Sequence, residues 1–123
     1  MKRPTLLLFL PAALLLSLGC HSGEKTAGAG GGNVDAGKAA VEKYGCNACH
    51  IVPGIEGPRG MAGPSLEHLK SRPLLAGKLP NNPEMLAKWV QNPPAYNPQN
   101  AMPNVGVTPQ DAKDIAAYLY TQP

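Results

Sequence analysis

Cys46-Asn47-Ala48-Cys49-His50 is the stretch whose residue types and spacing can do chemistry. Two thiols three positions apart share one side of a helical turn, and an imidazole follows directly. This is the attachment signature of a c-type heme. Both sulfurs can reach the two vinyl groups along one porphyrin edge, and His50 then stands where its Nε2 can bind iron from the proximal side. A bare Cys-x-x-Cys has other uses: a disulfide redox pair, half of a zinc site, or a chance pairing. The redox pair expects an α/β setting, and little strand pattern is visible. A structural zinc site needs four nitrogen or sulfur ligands, whereas Cys20, His21 and His68 are scattered along the chain. One covalent heme c, held through Cys46 and Cys49, is the reading that uses all three residues.

An iron bound by one histidine has a sixth position to fill. The candidates are Met61, Met85, Met102, His21 and His68. Met85 falls in a helical apolar stripe and reads as core packing. Met61 follows His50 closely, in a loop that would have to double back around the ring edge. His68 is followed by Lys70 and Arg72 and reads as a solvated residue. Met102 lies in a long, proline-bounded loop that can wrap to the distal face, with Pro103 fixing the approach of the sulfur. Met102 is therefore the expected second ligand; a buried structural methionine is the alternative.

Four elements must position these groups. Asn33 or Asp35 can cap a helix running to about Tyr44, in which Gly37, Ala40, Val41 and Tyr44 make one stripe. A glycine there normally costs about 1 kcal/mol against alanine, so its presence predicts a backbone crossing close by. Pro53, Gly54, Gly57, Pro58 and Gly60 mark a loop. Ser65 to Lys70 can form a short helix, and Leu74 to Pro80 reads as irregular. Asn82 caps a third helix with Pro83 at its first position and Glu84 in its first turn; Met85, Leu86, Trp89 and Val90 form its buried face. Asn92-Pro93-Pro94 ends it, and Pro98 and Pro103 keep the next stretch non-helical. Thr108-Pro109-Gln110-Asp111 starts the last helix, close to a capping box, with Ala112, Ile115, Ala116 and Leu119 facing the core. No internal repeat and no convincing strand appears.

The N-terminus reads as an export signal over residues 1–19: Lys2 and Arg3, then an apolar run from Leu6 to Leu18 broken by Pro11. It is too short, and too soon followed by Gly and polar residues, for a spanning helix. Cys20 sits behind Gly19 as in a bacterial lipobox, although Ser17-Leu18-Gly19 lacks the usual Leu three positions before the cysteine. The expectation is a lipid on Cys20; ordinary cleavage nearby is the alternative. Residues 20–33 then read as a flexible glycine-rich tether reaching roughly 20 Å, and residues 34–123 as the domain. Without Lys2 and Arg3, nine basic residues face eight acidic ones, so the charge of +3 falls to about +1. There is no basic stripe and no aromatic platform for nucleic acid. Aromatic content is only 5%, so a core this thin gains from the apolar mass of a heme.

From about Val34 to its end the chain resembles the small helical class I cytochromes c. It shares Cys46-x-x-Cys49-His50, Gly63-Pro64-Ser65-Leu66, Asn92-Pro93 and Met102-Pro103 with them. It is most similar to the cytochrome c domains of heme–copper oxidase subunits. That likeness is carried by Ser71-Arg72, Leu79-Pro80-Asn81-Asn82-Pro83-Glu84 and Asp114-Ile115-Ala116-Ala117-Tyr118-Leu119. The resemblance implies an all-α fold, a small class I cytochrome c domain of three to five helices around one covalent heme. It implies that the Pro64 carbonyl accepts from Nδ1–H of His50, and that Arg72 and Trp89 donate to a heme propionate. It further implies that Gly37 marks the crossing of the first and last helices, against Ile115 and Tyr118. Val41 stands where an aromatic often packs in that crossing, which makes the contact smaller.

The expectation is an electron carrier rather than an enzyme, a monomer exported and anchored at the outer face of a membrane. Its partners are a redox donor and acceptor, a terminal oxidase or a cytochrome bc complex among them. The rivals are a heme peroxidase or gas sensor with an open sixth position, and a fixed electron-input subunit of an oxidase. Docking is expected at the thioether edge, framed by Ile51, Val52, Met61, Ala62, Val105 and Val107, with Arg59 almost the only positive charge there.

Overall fold

The computed structural model describes residues 27–58 and 60–123. The export signal, Cys20 and Arg59 lie outside the described residues. Four α-helices carry the domain: α1 Val34–Lys43, α2 Pro83–Gln91, α3 Pro93–Tyr96 and α4 Pro109–Leu119. A 3-10 turn, Ala29–Gly31, precedes α1, and two more, Cys46–Ala48 and Leu69–Ser71, lie between α1 and α2, with a small antiparallel hairpin of β1 Leu74–Leu75 and β2 Leu79–Pro80.

The helix starts follow from local chemistry. The side chain of Asn33 accepts from Ala36 N at 2.8 Å, that of Asn82 from Met85 N at 2.8 Å, and that of Thr108 from Asp111 N at 3.2 Å. Each cap satisfies an orphan amide and is worth about 1 kcal/mol. Pro83 and Pro109 occupy the opening turns of α2 and α4, where a missing N–H costs nothing.

The core is the crossing of α1 with α4, covered on another side by α2. At Gly37 a Cβ would fall 1.9 Å from the Asp114 carbonyl oxygen and 2.7 Å from Tyr118 Cβ, so the two backbones touch there. Ile115 was expected against Gly37; Asp114 and Tyr118 are its nearest neighbours, and Ile115 lines the internal cavity. Asp114 is a buried charge, 5% exposed. Its Oδ1 accepts from Asn33 N at 2.7 Å and Gln110 Nε2 at 3.0 Å, which meets the demand a buried carboxylate makes.

Several expectations are corrected. The helix expected over Ser65–Lys70 is a single 3-10 turn, because Ser65 Oγ takes Glu67 N at 3.1 Å and Leu66 N bonds Ile51 O at 2.8 Å. Amides committed elsewhere cannot build a helical ladder. Leu74 to Pro80 is a hairpin, turned by Ala76 and Gly77 at φ 48° and 76°. On α2 the fully buried residues are Leu86, Ala87 and Val90, while Met85 and Trp89 are half-buried.

The glycine-rich run departs most. From Ala27 it is folded, not a tether. Gly28 N bonds Gly32 O at 2.7 Å, and Ala27 bridges to Asn33. A Cβ on Gly28 would lie 2.4 Å from Ala117 Cβ, and one on Gly32 would lie 2.2 Å from the Lys113 carbonyl. Glycine lacks side-chain surface to bury, but its absence lets backbone lie directly on α4.

Candidate functional site

Gly45, in the left-handed region at φ 66°, turns the chain out of α1 and into the Cys46–Ala48 turn. A side chain is strained there, and glycine is not. Cys49 N and His50 N both bond the Cys46 carbonyl, at 3.2 and 2.9 Å. Cys46 is half-buried and Cys49 exposed. Burial pushes the Cys46 thiol above its ordinary value.

The loop after His50 folds back over this turn. Gly60 N bonds Asn47 O at 3.0 Å and Gly63 N bonds Cys49 O at 2.8 Å. His50 Nδ1 lies 2.7 Å from the Pro64 carbonyl oxygen. A carbonyl only accepts, so Nδ1 is the donor in this bond and Nε2 is the nitrogen left for a metal. Gly63 makes this possible: a Cβ there would sit 2.3 Å from His50 Cε1. The motif Gly63-Pro64 is visible in the sequence, but the role of Gly63 in seating the ring needs the fold.

His50, Cys46, Cys49 and Pro64 border one cavity of about 340 Å³, together with Arg72, Trp89 and Met102. The remaining wall is mostly aliphatic, with Val41, Leu66, Leu86, Val90, Ile115 and Leu119. Met85 packs against the core outside the cavity, Met61 is 88% exposed, and His68 is exposed. Cys20 is outside the described residues.

The loop of Met102 is shaped by asparagines. Asn100 Oδ1 accepts from Met102 N at 2.7 Å, Asn100 Nδ2 donates to Asn97 O, and Asn104 Oδ1 accepts from Gly106 N at 2.9 Å. Its far end is tied to α1. Tyr44 Oη takes Thr108 N at 3.4 Å and donates to Asp111 Oδ2 at 2.7 Å, and Lys43 Nζ lies 2.8 Å from the same oxygen. These bonds hold the Asp111 carboxyl below and the Lys43 ammonium above their ordinary values.

Arg72 is held from two sides. Its Nη2 donates to the carbonyls of Ser65 and Glu67. Asn81 Nδ2 donates to Leu69 O at 2.7 Å and Arg72 O at 2.6 Å, and Asn81 Oδ1 accepts from Tyr120 Oη. Asn81 falls within the Leu79–Glu84 stretch that carries the family likeness, but nothing local marks its contacts with Leu69, Arg72 and Tyr120; Asn82 beside it has the local pattern of a cap.

The apolar rim also differs from expectation. Val52 and Val107 are buried core, 5% and 8% exposed, whereas Val105 is 45% exposed and Ala62 and Cys49 are exposed. Leu74, at 46%, joins the cavity's edge from the hairpin. A valine alone does not tell which side of a loop it takes.

A mostly aliphatic cavity bordered by two thiols three positions apart, by an imidazole bonded through Nδ1 to a carbonyl and by Met102 suits a flat apolar ring. A family model for Cytochrome c matches residues 34–123. The chain belongs to the cytochrome c family. Over 84 residues it is 32% identical to "Cytochrome c oxidase subunit 2" of Alkalihalophilus pseudofirmus, a match covering 68% of this chain. The matched part is 24% of that relative's length. As a cytochrome c, the protein carries covalent c-type heme, for which Cys46 and Cys49 have the attachment spacing, and serves heme-based electron transfer.

Proposed function

We propose that this cytochrome is a one-heme electron carrier with His50 and Met102 as axial ligands, exported and lipid-anchored through Cys20 at the outer face of a membrane. One observation supports the ligation: Met102 lines the same cavity as His50, whose Nδ1 is engaged by Pro64; the anchoring rests on the sequence pattern that ends at Cys20. The heme supplies a reversible one-electron couple, and His/Met ligation sets it at higher potential than two histidines. The chain's own residues keep the ligands still. Gly63 and Pro64 fix the imidazole, and the Asn100 turn with the Tyr44–Thr108 contact fixes the two ends of the methionine loop. Arg72 and Trp89 offer donors to a propionate. Little has to rearrange when the charge on the iron changes, which favours electron transfer over substrate turnover.

Similarity to an oxidase subunit supports a terminal oxidase as acceptor. The ligation is tested by the near-infrared sulfur-to-iron band of the oxidised protein and by carbon monoxide added to the reduced one. A band and no reaction are expected. Rapid carbon monoxide binding overturns the carrier reading in favour of an open-site sensor or peroxidase. The same similarity keeps a second reading alive, a fixed electron-input subunit; purification in mild detergent separates them, since a fixed subunit leaves with its oxidase.

A further inference from the structure

Ile115 and Leu119 of α4 line the heme cavity, whereas Lys113 and Ala117 receive the glycine-rich run. Two positions along an α-helix turn the side-chain direction by about 200°. The run from Gly28 to Gly32 is therefore seated on the back of α4, away from the cavity. Its seat is specific. Gly28 lies against Ala117 and Val34, Gly30 against Pro83, and Gly32 against the Lys113 carbonyl, with Asn33 N bonded to the buried Asp114.

We propose that this run is an orienting clip: it fixes where the anchor chain joins the domain, turns the back of α4 to the lipid surface, and directs the heme cleft to the aqueous side. The inference rests on anchoring through Cys20. The lengths decide it. A domain of this size has a radius of gyration near 12–13 Å and hence a diameter of roughly 30 Å. Carrying an anchor from the back of such a body around to its front takes roughly 50 Å of path. With the clip seated, only the chain between Cys20 and Ala27 is available, at most about 25 Å when fully extended. Without the clip, the chain from Cys20 to Val34 reaches about 50 Å. The clip thus separates a domain that cannot lay its cleft on the bilayer from one that can. Lys113, whose carbonyl receives Gly32, is exposed, and its charge suits anionic headgroups.

The test uses the full-length protein, purified from membranes and reconstituted in vesicles of phosphatidylglycerol and phosphatidylcholine. Flotation first reports anchoring. Linear dichroism of the Soret band on oriented bilayers then reports the heme's tilt. Native protein should float and show a fixed, non-zero dichroism. A Gly28→Val, Gly32→Val double variant should float, retain its heme, and lose at least half of that signal. Because this variant can also lose stability, a second one inserts eight Gly/Ser residues between Thr26 and Ala27. It leaves the clip and the thermal midpoint untouched and should lose the signal equally. Floating native protein without dichroism, or an insertion variant that keeps it, overturns the clip while leaving the anchor in place. Native protein that does not float overturns the anchor, and the orientation with it.

Discussion

Gly37→Ala sets two effects of known size against each other. In an isolated helix the substitution stabilises by about 1 kcal/mol. In this fold the new Cβ would lie 1.9 Å from the Asp114 carbonyl oxygen, 2.6 Å from its carbon and 2.7 Å from Tyr118 Cβ. Ordinary contact starts near 3.4 Å, so α1 and α4 must part by roughly 1.5 Å. The obstacle is helix backbone, which cannot swing aside as a side-chain tip can. Overpacking by one methyl costs about 1–3 kcal/mol. A gap of 0.5–1 Å already forfeits a quarter to a half of each contact along a seam, and this seam includes fully buried Val41. The cost comes to about 3–4 kcal/mol, leaving a net loss of about 2–3 kcal/mol. At about 4–8 °C per kcal/mol for a domain of this size, Tm should fall by about 10–20 °C. Denaturation of the oxidised, heme-bearing protein, followed by both Soret absorbance and far-UV circular dichroism, measures it. Lys38→Gly, at an exposed neighbour on α1, is the control and should cost only about 1 kcal/mol. A Gly37→Ala protein as stable as the parent, or more so, would show that the helices do not touch here.

Met102→Ala should keep covalent heme, shift the spectrum toward high spin and lower the potential, while Met61→Ala at the exposed position leaves both unchanged; the reverse pattern removes Met102 as ligand. The Asp111 carboxyl is held below its ordinary 3.8 by Lys43 and Tyr44, so its contribution is present above that value and is lost as pH falls through the lower folded value. Asp111→Asn should flatten the acid limb of a Tm-versus-pH profile below about pH 4, and an unchanged limb would mean the cluster is indifferent to protonation. Electron transfer with the natural partner should depend shallowly on ionic strength, because residues 34–123 carry eight basic against seven acidic side chains, a balance that gives little steering, and Val105→Asp at the exposed rim should slow it. A tenfold loss between low and physiological salt in stopped-flow would show that charges steer the encounter.

Much of this protein is legible without its fold, because the signals are local. The attachment turn spans five residues. The caps at Asn33, Asn82 and Thr108 each bond an amide three residues on, so side chain and target travel together in any conformation. Proline stops a helix by its own covalent geometry. Most of each helical stripe was readable for the same reason, whereas Met102 stood out by its proline-bounded loop and by elimination of the other candidates.

What the tertiary structure alone decided depends on groups far apart in sequence. Asn33 meets Asp114 across 81 positions, Tyr44 meets Asp111 across 67, and Tyr120 meets Asn81 across 39. Nothing near any of these residues announces its partner. Val52 and Val105 look alike in sequence, yet one is core and the other rim, because loop residues have no period to assign a face. The glycine run was read as unable to fold since it has no side chains to bury. Its backbone is nevertheless close-packed on α4, because Ala117 and the carbonyl of Lys113 leave room for nothing larger than a hydrogen. Composition measures what a segment can bury by itself; the fold supplies the surface that makes the smallness of glycine useful.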